Sequence, residues 1–261
     1  GIRGTIGGHP NENLTPLDIV RFSAAFGTIL CAKNKSPKVV IGRDGRISGE
    51  MVNALVVQIL VALGIQVVDL GLSTTPTVEM AVKWEAADGG IIITASHNPK
   101  EWNALKLLNS DGEFISAETG AQVLDLASRE DFQFVSVDKL GTITQNDTYL
   151  DQHIETIVNY PLVNPEAIRT KQFKVVVDAI NSTGAIAVPK LLKALGVEEV
   201  IILHGEVNGR FAHNPEPLPE NLSALSAEVK KSGASLGIAV DPDVDRLCFV
   251  CEDGSMFGEE Y

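Results

Sequence analysis

Cysteine is scarce in this chain, basic residues are outnumbered, and no apolar run is long enough to cross a bilayer. Each shortage closes off a class of function. Three cysteines in 261 residues, Cys31, Cys248 and Cys251, are too few for a disulfide framework and imply no oxidising compartment. Two of them fall in Cys248-Phe249-Val250-Cys251, the spacing of a zinc or redox pair. That run is apolar and reads as a strand, in which positions three apart face opposite sides, so two core thiols are the better reading. The 21 basic residues are set against 34 acidic ones, a net charge of −13. Long-range repulsion argues against nucleic acid and anionic membranes as partners. A phosphate-bearing ligand would then rely on local cations, helix N-termini or a bound metal. No stretch reaches the ~18 to 20 apolar residues of a membrane helix. The longest candidate, residues 55–64, is interrupted by Gln58 and reads as a buried helix. The opening Gly1-Ile2-Arg3-Gly4 is not the basic-then-apolar start of a signal peptide, and without an initiator Met it is expected to be preceded by further residues.

What is present is a repeated α/β grammar. Hydrophobic residues make up 44% of the chain, enough for a sizeable core in one large domain or two ordinary ones. Residues 38–42 read as a strand, 48–63 as a helix, 65–70 as a strand, 76–85 as a helix, and 90–94 as a nearly all-apolar strand covered on both faces. The pattern restarts with a helix over 148–158. It continues with strands at 173–177, 200–203 and 235–240, separated by helices at 185–195 and 222–231. Strands alternating with crossover helices predict an α/β fold, and two cycles predict two similar α/β domains meeting near residue 146. The echo lies in element order, not in residue identity.

Ligands of such sheets bind beyond the carboxyl ends of the strands, where two polar loops stand out. Thr94-Ala95-Ser96-His97-Asn98-Pro99 follows the third strand. Ser96 could be a nucleophile or phosphoryl carrier; Pro99 and the lack of a following helical pattern weaken its reading as a helix cap. A hydrolase elbow, G-x-S-x-G, is absent. Asp241-Pro242-Asp243-Val244-Asp245-Arg246 follows the strand ending at Val240. Carboxylates ~4 Å apart repel by about 4 kcal/mol at an effective dielectric near 20, which a hard divalent cation would offset; a solvated acidic turn is the alternative. If the segment is extended, its alternate residues share a face and converge on that ion. Arg246 adds a cation suited to phosphate. A calcium hand is rejected, because Arg246 stands where its turn needs Gly. Gly42-Arg43-Asp44-Gly45-Arg46-Ile47-Ser48 opens a long helix, with Ser48 as N-cap, and its two arginines read either as an anion site or as surface residues near the cap. Lys106, in an apolar run, either reaches solvent or exchanges protons beside Ser96. His213, in the Pro-Asn loop, reads as a surface or interdomain residue.

Together these segments resemble the α-D-phosphohexomutase family. Thr94 to Pro99 matches its T-A-S-H-N-P phosphoserine signature, and Asn103-Ala104-Leu105-Lys106 its N-G-x-K continuation, with Ala for Gly. Asp241 to Arg246 matches its D-G-D-x-D-R metal loop, with Pro for Gly, a change that leaves the three carboxylates in place. Gly1 to Gly4 looks like the end of its opening segment. Gly42-Arg43-Asp44 matches its G-R-D loop, and Pro215-Glu216-Pro217 with Glu220-Asn221-Leu222 a further segment. The resemblance implies two α/β/α layered domains with mixed, mostly parallel sheets. Domain I would span 1–146 and domain II 147–261, with the family's third and fourth domains absent after Gly258-Glu259-Glu260-Tyr261. It implies that Ser96 carries a phosphoryl group and ligates Mg²⁺ with Asp241, Asp243 and Asp245. Lys106 would be the general acid/base, His97 would support the serine loop, Arg43 would act at the reacting phosphate, and Arg43, Arg246 and Arg3 would bind phosphate. The implied protein is a cytoplasmic enzyme of carbohydrate metabolism acting on a sugar phosphate, either phosphoglucosamine mutase or phosphoglucomutase/phosphomannomutase, and compatible with a homodimer. Residues 1–261 alone are expected to bind Mg²⁺ but to turn over little. A metal-dependent phosphatase using the aspartates and a non-catalytic metal-binding module are the alternatives.

Overall fold

A capping box starts the first long helix. Thr15 accepts from the Asp18 N–H, Asp18 accepts from the Thr15 N–H, and Pro16 stands where no donor is needed. In the computed structural model, which describes residues 2–260 and their side chains through Phe257, strand β1 (Ile2–Thr5) leads into this helix, α1 (Pro16–Lys33). Gly1 and Tyr261, at the ends of the terminal segments quoted above, lie outside the described residues. The chain continues through β2 (Lys38–Arg43), α2 (Gly49–Ala62), β3 (Gln66–Leu72), α3 (Thr75–Trp84), β4 (Gly89–Ile93), β5 (Trp102–Leu108), α4 (Ala117–Arg129) and β6 (Ile143–Gln145). Then come α5 (Tyr149–Val158), α6 (Pro165–Thr170), β7 (Lys174–Asp178), α7 (Gly184–Ala194), β8 (Glu199–Leu203), α8 (Ser223–Ser232), β9 (Leu236–Val240), β10 (Leu247–Cys251) and β11 (Met256–Glu260).

The chain divides into two compact units. One holds residues 1–43, 48–95 and 101–147; the other holds Asp44–Ile47, Ser96–Lys100 and the chain from Thr148 onward. Each is built on one sheet. The first has the order β1-β5-β4-β2-β3-β6 and the second β11-β10-β9-β7-β8. In the first, β2 runs parallel to β3 and β4, and β5 returns antiparallel beside β4. In the second, β7 runs parallel to β8 and β9, and β10 returns antiparallel beside β9. The central topology is thus the same in both, which gives physical form to the echo in element order. The turns after β4 and after β9 are topological equivalents.

Both sheets are covered on two faces. In the first unit, Ile19 and Phe26 of α1, Val56 and Leu60 of α2 and Val123 of α4 pack with Val39, Ile41, Ile91 and Ile93. Helix α3 lies on the opposite face, against β2 and β4. Buried from end to end, β4 is therefore apolar without alternation. In the second unit, Val188 and Leu192 of α7 pack on Val175, Val177 and Val240, while Leu225 and Val229 of α8 pack on Val176, Ala239 and Val250. Cys248 is buried, Cys251 partly so, and both are free thiols on a strand, as the alternation predicts. Among the described residues, no helix is long and apolar enough to cross a membrane.

Candidate active site

Strand β4 stops at Ile93, and three residues later Ser96 takes φ +50°, in the left-handed region. For a residue with a Cβ that conformation costs of order 1–2 kcal/mol and needs support. Arg46 supplies it. Its guanidinium donates to the carbonyls of Ser96 at 2.5 Å, Asn98 at 2.7 Å and Pro99 at 2.8 Å, and Nε donates to Asp44 Oδ2 at 3.0 Å. Both side chains of the Asp44–Arg46 pair are fully buried, and the guanidinium carbon lies 5.1 Å from the Phe211 ring centroid. Arg46 is therefore not part of an anion site, as the pair of arginines suggested; its guanidinium holds the backbone of the serine turn and the Asp44 carboxylate. Gly209, at φ +66°, packs against the same Asp44–Ile47 segment, and a Cβ there would sit 2.4 Å from the Gly45 oxygen.

The acidic segment closes the hairpin between β9 and β10. It is a tight turn, not the extended run expected from its alternating carboxylates. The Val244 N–H donates to the Asp241 carbonyl at 3.1 Å, and Val244 itself has φ +62°. Pro242, with its fixed φ, suits the second position of such a turn. Asp241 Oδ1 accepts the backbone N–H groups of Asp245 at 3.1 Å and Arg246 at 3.0 Å, which curls the loop about one carboxylate. One carboxylate oxygen from each of Asp241, Asp243 and Asp245 then lies within 4.8 Å of the others. Asp241 and Asp243 are fully buried. Burial, then the charges of Asp243 and Asp245, push the Asp241 carboxyl well above the usual carboxylate range; the Ser96 hydrogen bond offsets part of this.

Ser96 Oγ donates to Asp241 Oδ2 at 2.7 Å and lies 3.5 Å from Asp245 Oδ1. His97 Nδ1 is 3.3 Å from the same hydroxyl, and its Nε2 is 3.8 Å from Glu216 Oε1. Glu216 also accepts from Arg246 Nη1 at 2.9 Å. One unit thus holds Ser96, His97, Asp241, Asp243, Asp245 and Arg246. Three residues to which sequence reasoning gave no such role organise them. Arg46 fixes the serine turn. Glu216, noted there only within a family segment, links His97 to Arg246. Ser182 accepts from the Gly45 N–H at 2.9 Å and donates to the Pro242 carbonyl at 2.6 Å, joining the arginine turn to the aspartate turn. Thr183 donates to the same carbonyl at 2.8 Å. The run Asn181-Ser182-Thr183-Gly184, between a strand and a helix, was the available signal.

Arg3, Arg43 and Lys106 belong to the other unit. Arg3 is exposed on β1, and Arg43, at the end of β2, pairs with Glu50 at 3.2 Å. Lys106 is half-buried on β5, its Nζ 5.8 Å from the Phe114 ring centroid. Ser48 occupies the N-cap position of α2, but its side chain makes no cap. Instead its hydroxyl accepts from Asn103 Nδ2 at 2.9 Å.

The donor set fits a hard divalent cation. Carboxylate oxygens that raise one another's proton affinity are what such an ion neutralises, and the Ser96 hydroxyl adds one more oxygen. With fold and site in place, comparison with known proteins gives the family. Residues 1–134 match the family model described as phosphoglucomutase/phosphomannomutase, alpha/beta/alpha domain I, and residues 147–254 the model for domain II. The chain belongs to the phosphoglucomutase/phosphomannomutase family. A phosphoglucomutase/phosphomannomutase of Thermococcus kodakarensis is 40% identical over 96% of this chain and 55% of its own length. A phosphoglucosamine/phosphogalactosamine mutase of Sulfurisphaera tokodaii is 34% identical over 97% of the chain and 54% of its own. The crystal structure of a phosphoglucomutase/phosphomannomutase family protein from Burkholderia thailandensis superposes with a TM-score of 0.83 at 31% identity, covering 97% of this chain and 54% of that one. The chain spans about half the length of the curated relatives it matches.

Proposed function

We propose that this chain is the part of a phosphohexomutase that carries the phosphoserine and the metal, within an enzyme that interconverts hexose or hexosamine 6-phosphate and 1-phosphate. The observation that supports this most is the 2.7 Å approach of the Ser96 hydroxyl to Asp241 in a pocket of three carboxylates. A serine that merely caps a helix has no reason to face three acids. The relatives' names, with their several sugars, support a sugar phosphate as substrate.

Asp241, Asp243 and Asp245 would hold Mg²⁺ together with an oxygen of Ser96 or its phosphate, since the donors are all hard oxygens. Bound there, the ion would neutralise charge on the transferring phosphoryl group. A sugar hydroxyl attacks phosphorus in line as the Ser96 Oγ–P bond breaks, and Lys106 accepts the hydroxyl proton. The resulting sugar bisphosphate turns round and returns its other phosphate to Ser96, with Lys106 giving back a proton. His97 orients the serine turn, and Arg246, Arg43 and Arg3 bind phosphate. Domains that follow these two in the family would supply the sugar and distal-phosphate contacts. Incubation with a hexose 1,6-bisphosphate and Mg²⁺ should place one phosphate on the protein, mapped by mass spectrometry to Ser96 and missing in Ser96→Ala. Phosphate elsewhere, or phosphate release that survives Ser96→Ala, would favour a phosphatase that uses the aspartates.

A further inference from the structure

None of the roles above uses Asp178, His204 or His213, yet the fold gathers them. Asp178 ends β7 in register with Leu203, the last residue of β8, so His204 begins the adjoining loop beside it. The Asp178 side chain is 1% exposed. Its Oδ1 meets Nδ1 of His204 at 2.9 Å, and its Oδ2 meets Nε2 of His213 at 2.9 Å. The two imidazoles lie edge to face with centroids 5.3 Å apart. One possible ligand atom from each of the three residues lies within 4.8 Å of the others. His213, read from the sequence as a surface or interdomain residue, is thus a partly buried member of a cluster.

The protons decide what the cluster can do. Nδ1 of His213 lies 2.8 Å from the Asn214 carbonyl oxygen, which can only accept, so Nδ1 carries a hydrogen. Nε2 of the same ring faces the Asp178 carboxylate, a second acceptor. A neutral imidazole has one N–H, so either a second proton or a metal ion must lie between Nε2 and the carboxylate. Burial resists charging His213, but the hydrogen bond and charge of Asp178, with the Asn214 carbonyl, hold its pKa above the ordinary value. An imidazole that gives its other N–H to a backbone carbonyl is also the usual posture of a metal ligand.

We propose that Asp178, His204 and His213 form a second cation site, for a divalent d-block ion of which Zn²⁺ is the best match. Two imidazole nitrogens and one carboxylate oxygen suit Zn²⁺, whereas the all-oxygen aspartate turn suits Mg²⁺, so the two sites select different ions. Bonds of about 2.0–2.1 Å set tetrahedral ligand atoms about 3.4 Å apart, a spacing that the three ligand atoms, all within 4.8 Å of one another, reach by small shifts on binding. The histidine side chains are 25% and 19% exposed, which leaves a route in and room for a water as fourth ligand. Binding releases the Nε2 proton of His213 to solvent. The ion ties the carboxyl end of β7 to the loop that goes on to Glu216, and Glu216 holds His97 and Arg246. Zn²⁺ here fastens that loop and takes no part in chemistry.

The test is Zn²⁺ binding by the whole chain in millimolar Mg²⁺, with the aspartate turn silenced by Asp241→Asn, Asp243→Asn and Asp245→Asn together. About one Zn²⁺ per chain should remain, with proton release. Added to that background, His204→Gln or His213→Gln should weaken it by at least the roughly 10- to 100-fold that loss of even a supporting partner costs. No Zn²⁺ on the silenced protein, or equal affinity with and without both histidines, overturns the proposal. Histidine-ring NMR of the unsubstituted protein gives a reading free of folding defects. Zn²⁺ should shift the rings of His204 and His213, and unshifted rings overturn it.

Discussion

Removing the guanidinium of Arg46 should release the serine turn, and the cost can be worked from its contacts. Arg46→Met keeps length and apolar volume but deletes four donated hydrogen bonds, three to carbonyls of residues 96, 98 and 99 and one to Asp44. Asp44 is left as a fully buried carboxylate without its cation, and breaking such a pair costs about 3–5 kcal/mol. Domains carry about 5–15 kcal/mol in total, so the variant should sit near the edge of folding. Arg46→Lys keeps the charge, but an ammonium cannot span four acceptors. Each lost charge-assisted bond costs about 1.5–3 kcal/mol, so this variant should fold, weakened by about 2–4 kcal/mol. The double variant Asp44→Asn/Arg46→Met removes the stranded charge and should be more stable than Arg46→Met alone, a coupling of order 0.5–3 kcal/mol. Urea denaturation gives these energies, and hydrogen exchange at residues 96–100 of Arg46→Lys reports the turn itself. If Arg46→Met lies within about 0.5 kcal/mol of wild type, or if exchange at 96–100 is unchanged in Arg46→Lys, Arg46 does not support Ser96.

Asp243→Asn should be neutral or stabilising in EDTA, because it relieves repulsion among the carboxylates, and should lose the rise in melting temperature that Mg²⁺ gives wild type. That rise corresponds to about 2.7 kcal/mol at a hundredfold excess over Kd. Burial pushes the Asp18 carboxyl up, but the Thr15 hydroxyl, the N–H groups of Asn11 and Thr15, and Arg21 together hold it below the usual range. Its contribution is therefore complete above the unfolded carboxylate pKa of about 3.9 and is lost as pH falls through the lower folded value. Thermal melts of Asp18→Asn should show a loss of about 0.5–2 kcal/mol at pH 6 that shrinks toward pH 3; parallel curves would contradict this capping role. Gly209→Ala should lower stability by at least about 1–2 kcal/mol, from positive φ alone, with more from the clash on Gly45; an unchanged melt counts against the close approach.

The parts of this fold most legible in the sequence are those where one local rule decides. Strand β4 is apolar throughout because helices cover both its faces, and the restart of strand and helix after residue 148 reflects a second sheet of like topology. Helix α1 carries its start signal in Thr15, Pro16 and Asp18, but it lies before the first strand-helix cycle, outside the alternation that marks the other helices. The carboxylates were legible as a cluster, their geometry was not. Pro242 is a local signal for a turn, but a β-branched residue such as Val244 rarely takes positive φ, so the conformation that gathers them is not written in the local sequence. Arg46 and Ser48 show the same limit. An arginine beside a helix start reads as an anion ligand until carbonyls some 50 residues on claim it, and Ser48 reads as a cap until Asn103 claims its hydroxyl. The contacts of Asp178 with His204 and His213 span 26 and 35 residues, and only the pairing of β7 with β8 brings them together.

The central claim is that one cation is shared by the aspartate turn and the serine. Anomalous diffraction from crystals of the protein soaked in Mn²⁺, a stand-in for Mg²⁺, tests it most directly. A strong peak at the aspartate turn is predicted, bonded to Asp241, Asp243 and Asp245 and to Ser96 or its phosphate, and absent there in Asp243→Asn. A turn that stays free of metal at millimolar Mn²⁺, or a metal there out of bonding reach of Ser96, would contradict the account.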